Sequence, residues 1–380
     1  MKAKCRGCGR LLPEENLIQY ENMPKGAQFF PGEEELEIEK GVDIVLRQCG
    51  YCGLIQAVGD PVPYYRDVIR ASGVSQEMKR FREEQYRNWV KEFHLEGKRI
   101  IEIGCGSGEY MTCMEQTGAI VYGLEHLQSS VEQGKRDGHQ IFRGFVEDEH
   151  FQIPEAPYDG FYIMNYLEHI PDPGSFLRGI AHNLADGAQG IVEVPNFTMM
   201  LEKSLYSEFI QDHLSYFTEE TLKSILRWNG FEVLNCESIW YDYILSATVR
   251  KRLPARVEKL TEKHDQLKKE MREFLTEQRC RGRRLAVWGA GHQALANLSL
   301  LAMAEDIVYV VDSAPFKQNK YTPATHIPIV APERLKEGEV DMVLIMAAGY
   351  SMEVKQIMDE RYPNIDKVIV TEDGIKTCGI

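Results

Sequence analysis

Two glycine-rich turns constrain this chain more than any other feature. The first is Glu102-Ile103-Gly104-Cys105-Gly106-Ser107-Gly108, which follows the strand-like run Arg99–Ile103 and leads into a helix-like segment. The second is Gly289-Ala290-Gly291-His292-Gln293-Ala294, which follows Arg284–Trp288 in the same way. Glycines placed so let the backbone turn sharply and let a ligand approach the main chain. A strand entering such a turn and then a helix implies a parallel sheet with helices on its faces. The flanking sequence agrees, because Val121–Glu125, Phe161–Met164 and Gly190–Val194 read as further strands around the first turn. Ile307–Val311, Met342–Met346 and Lys367–Val370 do so around the second. Ser75–Phe93 reads as an amphipathic helix, with Met78, Phe81, Trp89, Val90 and Phe93 as its apolar positions.

Ahead of these units stand two cysteine pairs, Cys5-Arg6-Gly7-Cys8 and Cys49-Gly50-Tyr51-Cys52, each followed by a glycine. A turn with cysteines three apart aims both sulfurs at one ion, and two such turns complete a closed tetrahedral set. Residues 1–60 are too few for a generous core, so a staple is expected. The spacing therefore predicts a structural Zn2+ bound by Cys5, Cys8, Cys49 and Cys52. The chain has nine cysteines. The other five, Cys105, Cys113, Cys236, Cys280 and Cys378, lack partner spacing and read mostly as buried fillers.

Net charge is −14 over 380 residues. That balance argues against a nucleic-acid partner and against docking on an anionic membrane. Residues 250–284 run the other way, with 13 Lys+Arg against 6 Asp+Glu. There Val257, Leu260, His264, Leu267, Met271 and Phe274 form a helical stripe suited to packing one seam. The sequence shows no apolar run near the ~18 residues a membrane helix needs. Met1–Cys5 lacks the apolar core of a signal peptide, so a cytoplasmic protein is expected.

The two turns point to different ligands. Glu125 ends the strand after the first turn and is well placed to accept hydrogen bonds from ribose hydroxyls. Glu102 adds an acidic charge at the turn itself, and no Lys-Ser/Thr follows the glycines, which excludes a phosphate-cradling loop. An acidic loop suits a cationic, phosphate-free nucleoside, and S-adenosyl-L-methionine fits. The second turn is a GxGxxA sequence, and Asp312 ends the next strand 23 residues after Gly289. Read alone it suits a phosphorylated ligand, NAD among them, because a helix N-terminus offers free N–H groups. Among the histidines, His213 follows Asp212, and a histidine beside a carboxylate suits general-base work. His169 stands at the carboxyl end of a predicted strand.

The first unit resembles the class I methyltransferases. The resemblance rests on the Glu102–Gly108 loop, on Tyr158-Asp159-Gly160 leading to Asn165-Tyr166-Leu167-Glu168-His169-Ile170-Pro171, and on Gly144-Phe145-Val146-Glu147, where that family contacts adenine. An aspartate is common where this chain has Phe145. The run Asp312-x-x-Pro-x-Lys-Gln-x-x-Tyr-x-Pro-x-x-His-Ile-Pro-Ile329 resembles the C-terminal domain of the sugar C-methyltransferases that act on nucleotide-linked keto-deoxysugars. The domain order matches as well.

The resemblance implies a class I methyltransferase Rossmann-like core, with an N-terminal zinc-binding module and a second Rossmann-like C-terminal domain. The expected division is residues 1–70, 71–250, a basic helical linker 251–283, and 284–380. The resemblance implies cofactor contacts from Glu102, Gly104, Cys105, Gly106, Gly108, Glu125 and Asn165. It makes His213 the base, Asp212 its preceding acid and His169 a neighbour of the sugar. Substrate phosphate is expected at Gly289, Gly291, His292, Lys317, Lys320 and Tyr321. Two departures stand out: Ile210 where the family commonly has tyrosine, and Asp67–Ser72 where it often has tyrosines before a Ser-Ser pair. They leave open an O- or N-methyltransferase acting on a sugar or natural-product intermediate. An NAD-binding enzyme using the second turn also stays open. The partner expected is a small molecule, and the chain is expected to be a monomer or weak dimer.

Overall fold

A computed structural model describes residues 3–26, 30–66, 74–371 and 373–377. The Asp67–Ser72 departure and Cys378 lie outside the described residues. The chain forms two compact units, Met1–Pro254 and Ala255–Ile380.

The strands of the first unit are β1 Ile18–Met23, β2 Val42–Gln48, β3 Ile55–Ala57, β4 Arg99–Ile103, β5 Ile120–Glu125, β6 Ile141–Arg143, β7 Tyr158–Met164, β8 Leu184–Pro195, β9 Ser215–Tyr216, β10 Phe231–Ile239 and β11 Ile244–Lys251. Seven of them make one sheet in the order β10-β11-β8-β7-β4-β5-β6. β4, β5, β6, β7 and β8 run parallel, and β11 lies antiparallel between β8 and β10. This is the class I methyltransferase sheet that the first glycine turn predicts. Both faces are covered, so the central strands carry few polar residues.

The remaining sheet of this unit runs β1-β2-β3-β9. β3 pairs with β9 through Ile55 opposite Tyr216 and Gln56 opposite Ser215. Cys5, Cys49 and Leu54 share a core with Phe217, Leu222 and Ile225 of the methyltransferase core. The expected division at residue 70 therefore carries no break in packing.

The helix Gln76–Glu92 is capped by Ser75, whose hydroxyl accepts from the Met78 N–H. Its buried face is not purely apolar. It holds Arg82 and Tyr86 beside Trp89 and Val90. Arg82 Nη2 lies 2.6 Å from Glu193 Oε2 of β8, and both side chains are fully buried. Gln85 Nε2 and Ser246 Oγ donate to Glu193 Oε1 at 2.6 and 3.0 Å, which satisfies the carboxylate. Burial opposes the Arg82 charge, but Glu193 overrides it and the guanidinium pKa is raised.

The second unit contains β12 Leu285–Trp288, β13 Ile307–Val311, β14 Lys320–Tyr321, β15 Pro328–Val330, β16 Met342–Ile345, β17 Asp366–Thr371 and β18 Gly374–Thr377. The order is β14-β15-β13-β12-β16-β17-β18, with a parallel centre and antiparallel edges. It is a second Rossmann-like sheet. The basic stretch forms the helix Glu258–Cys280, which belongs to this unit rather than standing as a linker. Only its later turns are covered: Met271 and Leu275 join the core, while Val257 and Leu260 are exposed. Cys105 and Cys113 are buried as expected, Cys236 is half-buried, and Cys280 is exposed. No helix among the described residues is long and apolar enough to cross a membrane.

Glu193→Gln removes one partner of a fully buried ion pair and leaves Arg82 uncompensated. We expect a stability loss of about 3–5 kcal/mol in denaturant titration. A loss below about 1 kcal/mol would show that the pair is solvated in solution.

Candidate active site

The first glycine turn sits at the carboxyl end of β4, where open α/β sheets bind ligands. Gly104, Gly106 and Gly108 have φ of +74°, +58° and +97°, which side-chain-bearing residues adopt only with strain. A Cβ on Gly104 would stand 2.9 Å from the Tyr166 ring, so that ring packs directly on the turn. Glu125 accepts from the Gly106 N–H at 2.9 Å and from the Leu127 N–H at 2.8 Å. Its carboxylate is thus anchored at the loop before any ligand arrives. Cys105 buries its side chain, whose Sγ donates to the Gly106 carbonyl at 3.6 Å. Glu102 is also buried, on the side of Tyr86 and Tyr162. Its position is beneath the turn rather than in the open. Asn165 is exposed, with φ +50°.

Phe145 anchors an aromatic wall beside this loop. Its ring lies 5.9 Å from Tyr65, 6.3 Å from His126 and 5.9 Å from Phe176. The Arg66 guanidinium lies 5.1 Å over the same ring and 3.4 Å from Glu147. Tyr166 OH donates to the Arg66 carbonyl at 3.3 Å. Tyr65 and Arg66 leave the cysteine module at this point, and nothing in their local sequence marks them.

The histidines come together at the neighbouring strand end. The rings of His169 and His213 lie 4.8 Å apart, near perpendicular. His169 Nδ1 donates to the Asp212 main-chain carbonyl at 2.8 Å. Asp212 thus meets this cluster through its main-chain carbonyl as well as through its charge, which works to raise the His169 pKa. The nearby acid is Glu168, whose Oε1 is 3.9 Å from His169 Nε2. Burial pushes the Glu168 carboxyl up to about 8. Burial also lowers the His169 pKa, against the hydrogen bond to Asp212, and burial together with His169 pushes His213 well below its usual value. Both shifts favour the uncharged imidazole. Tyr216, which packs 6.1 Å from His213, donates to the Ile210 carbonyl.

The loop carrying His213 is pinned from both sides. The Leu214 N–H donates to the Glu168 carbonyl at 2.8 Å, and the Ala57 N–H donates to the Leu214 carbonyl at 3.0 Å. A cavity of about 420 Å³ opens beside the loop, lined by Lys25, Asp60, Tyr64 and Gln211 among others. That volume suits a small-molecule ligand.

The four cysteines of the module converge, with all sulfurs within 4.8 Å of one another. Cys5 and Cys52 Sγ are 3.5 Å apart, Cys8 and Cys49 Sγ 3.6 Å. A tetrahedral ion with bonds of about 2.3 Å needs edges of about 3.8 Å, so the set fits zinc. Each pair has the same turn. Cys5 C=O accepts from Gly9 N–H while Cys5 N–H donates to Arg10 C=O. Cys49 does the same with Gly53 and Leu54.

In the second unit the expected substrate residues divide. Gly291 and His292 are exposed at the start of the helix His292–Leu300, and Lys320 and Tyr321 are exposed on β14. Gly289 is buried, and its missing Cβ would meet the Met346 carbonyl at 2.7 Å. Lys317 is engaged elsewhere. Its Nζ lies 2.9 Å from Asp312 Oδ2, which also accepts from the Ala290 N–H, while Oδ1 accepts from the Ala314 N–H. Gln318 Nε2 donates to the Asp312 carbonyl at 3.0 Å. Much of the distinctive 312–329 run therefore binds its own loop. Asp312, the acid that a dinucleotide ribose would need, already has three donors.

Comparison with known proteins follows this architecture. Residues 78–235 match a family model described as a methyltransferase domain, and residues 250–371 match a C-methyltransferase C-terminal domain. The chain is 24% identical over 305 residues to the C-methyltransferase NovU of Streptomyces niveus, covering 72% of each chain. It is 33% identical over 100 residues to the ubiquinone biosynthesis O-methyltransferase of Bordetella avium, spanning 42% of that protein and 24% of this chain. An S-adenosylmethionine-dependent methyltransferase structure from Clostridium acetobutylicum aligns at 12% identity with a TM-score of 0.39, over 50% of this chain and 96% of that one.

The Lys317–Asp312 pair yields a pH prediction. Burial raises the Asp312 pKa, but Lys317 and two N–H donors outweigh it and the net shift is downward. A depressed carboxylate adds stability above its unfolded pKa of about 3.9 and loses it as pH falls through the folded value. Lys317→Met should lower stability by about 1 kcal/mol at neutral pH, discounted for partial exposure. The difference from wild type should shrink as pH drops below about 4 in thermal melts. A difference constant with pH would refute the linkage.

Proposed function

We propose that this S-adenosylmethionine-dependent methyltransferase, which carries a C-methyltransferase C-terminal domain, methylates carbon alpha to the ketone of a nucleotide-linked keto-deoxysugar. The observation that carries the reading is the half-buried His213, its pKa pushed well below the usual value, on a loop pinned at the carboxyl edge of the sheet. NovU, a C-methyltransferase similar along most of its length, supports carbon as the acceptor.

Bound S-adenosylmethionine supplies an electrophilic methyl group. Glu125 holds its ribose and keeps the Gly106 turn in place. Phe145 and the Arg66–Tyr65 segment cover the adenine side and exclude water. His213 accepts the proton from the sugar carbon, and His169, fixed by the Asp212 carbonyl, sets the ring beside it. The electron pair left on that carbon is the nucleophile that a bound S-adenosylmethionine would methylate, the sulfur–methyl bond breaking and its electron pair leaving on the neutral thioether. The sugar end enters the cavity lined by Lys25, Asp60, Tyr64 and Gln211, whose polar groups can hydrogen-bond its hydroxyls. Gly291, His292, Lys320 and Tyr321 of the second unit offer a candidate site for a phosphorylated ligand. Cys5, Cys8, Cys49 and Cys52 hold a structural Zn2+. The protein works in the cytoplasm as a monomer or weak dimer, on a small molecule.

His213→Asn should lower kcat by about 10²–10⁴ with S-adenosylmethionine affinity unchanged in calorimetry. Labelled methyl transfer across a panel of nucleotide keto-sugars provides the rate. Incubation of the substrate with enzyme in D2O should place deuterium at the alpha carbon, and His213→Asn should not. Methyl transfer to oxygen with no exchange at carbon would overturn the C-methylation reading.

Glu125→Gln tests the cofactor site separately. Losing the charge from two anchored N–H bonds and the ribose contact should weaken S-adenosylmethionine binding about 10–100-fold. An unchanged dissociation constant would remove Glu125 from the pocket.

Metal analysis should find one zinc per chain, lost in Cys49→Ser. Its removal should unfold the cysteine module and abolish turnover, because β3 holds the strand that follows His213.

A further inference from the structure

We propose that Glu168, His169 and His213 form a second metal site, which takes a first-row divalent ion and, when filled, blocks the proton-accepting nitrogen of His213. The blocking part rests on the base reading above; the binding part does not.

One donor atom from each of these residues lies within 4.8 Å of the others. The arrangement has the donor set and the preparation a metal needs. The Glu168 side chain is 2% exposed, and its Oε2 has no hydrogen-bond partner. A buried carboxylate oxygen without a partner is a costly arrangement that a cation relieves. His169 donates from Nδ1 to the Asp212 carbonyl, which leaves the lone pair on Nε2. Metal-binding histidines commonly fix their second nitrogen on a main-chain carbonyl in this way. Glu168 is held in turn, since its carbonyl accepts from the Leu214 N–H.

The edge between Glu168 and His169 needs only a small contraction, and all three donor atoms lie within 4.8 Å of one another. Glu168 Oε1 and His169 Nε2 are 3.9 Å apart, whereas donors around a tetrahedral ion with bonds of about 2.0–2.1 Å lie about 3.3 Å apart. Side-chain rotation supplies that difference. Two imidazoles and one carboxylate favour Zn2+, Co2+ or Ni2+ over Mg2+ or Ca2+. Three protein donors leave a position open to water or to a substrate oxygen. The set also differs chemically from the four thiolates of the cysteine module, so the two sites are separable by spectroscopy.

The test uses the full chain carrying one zinc in its cysteine module, titrated with Co2+ near neutral pH. Wild type should take up one further equivalent, with cobalt absorption but no new sulfur-to-cobalt charge-transfer band. Turnover should fall in step with that occupancy. Glu168→Gln and His169→Asn should each lose the second equivalent while still binding S-adenosylmethionine. Failure of wild type to take up a second ion overturns the site by itself, and leaves the base assignment standing if His213→Asn is inactive. Retention of the ion by both variants also overturns it. Uptake with undiminished turnover overturns the blocking role and counts against His213 as the base.

Discussion

The active-site half of the molecule hangs on a two-residue strand. β9, Ser215–Tyr216, adds itself to the edge of the cysteine module's sheet and begins immediately after His213 and Leu214. Leu214 is held on one side by the Glu168 carbonyl and on the other by the Ala57 N–H. So the main chain at the histidine bridges the strand ends of the large sheet and the small sheet of the module. A loop held at both peptide groups has little freedom to lose on binding substrate, which is what positioning of a base requires. The module is in turn too small to hold itself together by apolar burial alone. The four converging cysteines are thus linked to the His213 loop through two strands, β2 and β3, and one pairing.

That chain of dependence explains why the module packs as it does. Gly7, between the first two cysteines, would place a Cβ 3.1 Å from Ile225 and Leu54. The turn therefore presses against the helix Glu219–Trp228 that follows β9, and glycine is what lets it approach. Arg6 extends from the same turn, with its Nη1 donating to the Pro171 carbonyl at 3.2 Å. The module is tied to the core next to the strand end that carries Glu168 and His169.

The features legible in the sequence were the ones with a short-range signature. The cysteine pairs, the glycine turns and the strands flanking them depend on residues within a few positions of one another, and the structure places them together. Arg82 and Glu193 were not legible. On a helix containing Arg80, Glu83, Glu84 and Arg87, an arginine at 82 looks like one more solvated charge, and its partner lies 111 residues away on β8. Asp212 was legible only in part, for a related reason. Adjacency to His213 suggested a carboxylate beside that ring, and the structure adds a contact the sequence did not signal, from the Asp212 carbonyl to the other histidine. Sequence proximity says nothing of which peptide group faces inward. The stripe on the basic helix was legible as a stripe, but Leu260 and Val257 show that periodicity does not tell how far along a helix a core extends.

The two glycine turns end as a physical contrast. Both close with an acid at the end of the next strand, and in both the acid accepts from a main-chain N–H of its own turn: Glu125 from Gly106, and Asp312 from Ala290. Asp312 also meets Lys317, a cation supplied by the loop that follows. A neutralised acid with its lone pairs engaged accepts poorly from a ribose. What a phosphorylated ligand would find at the second turn is the open N-terminus of the helix His292–Leu300 and the exposed Lys320. The same strand-turn-helix scaffold thus carries in both units an acid that braces its own turn, and in the second unit that acid also pairs with a lysine five residues on.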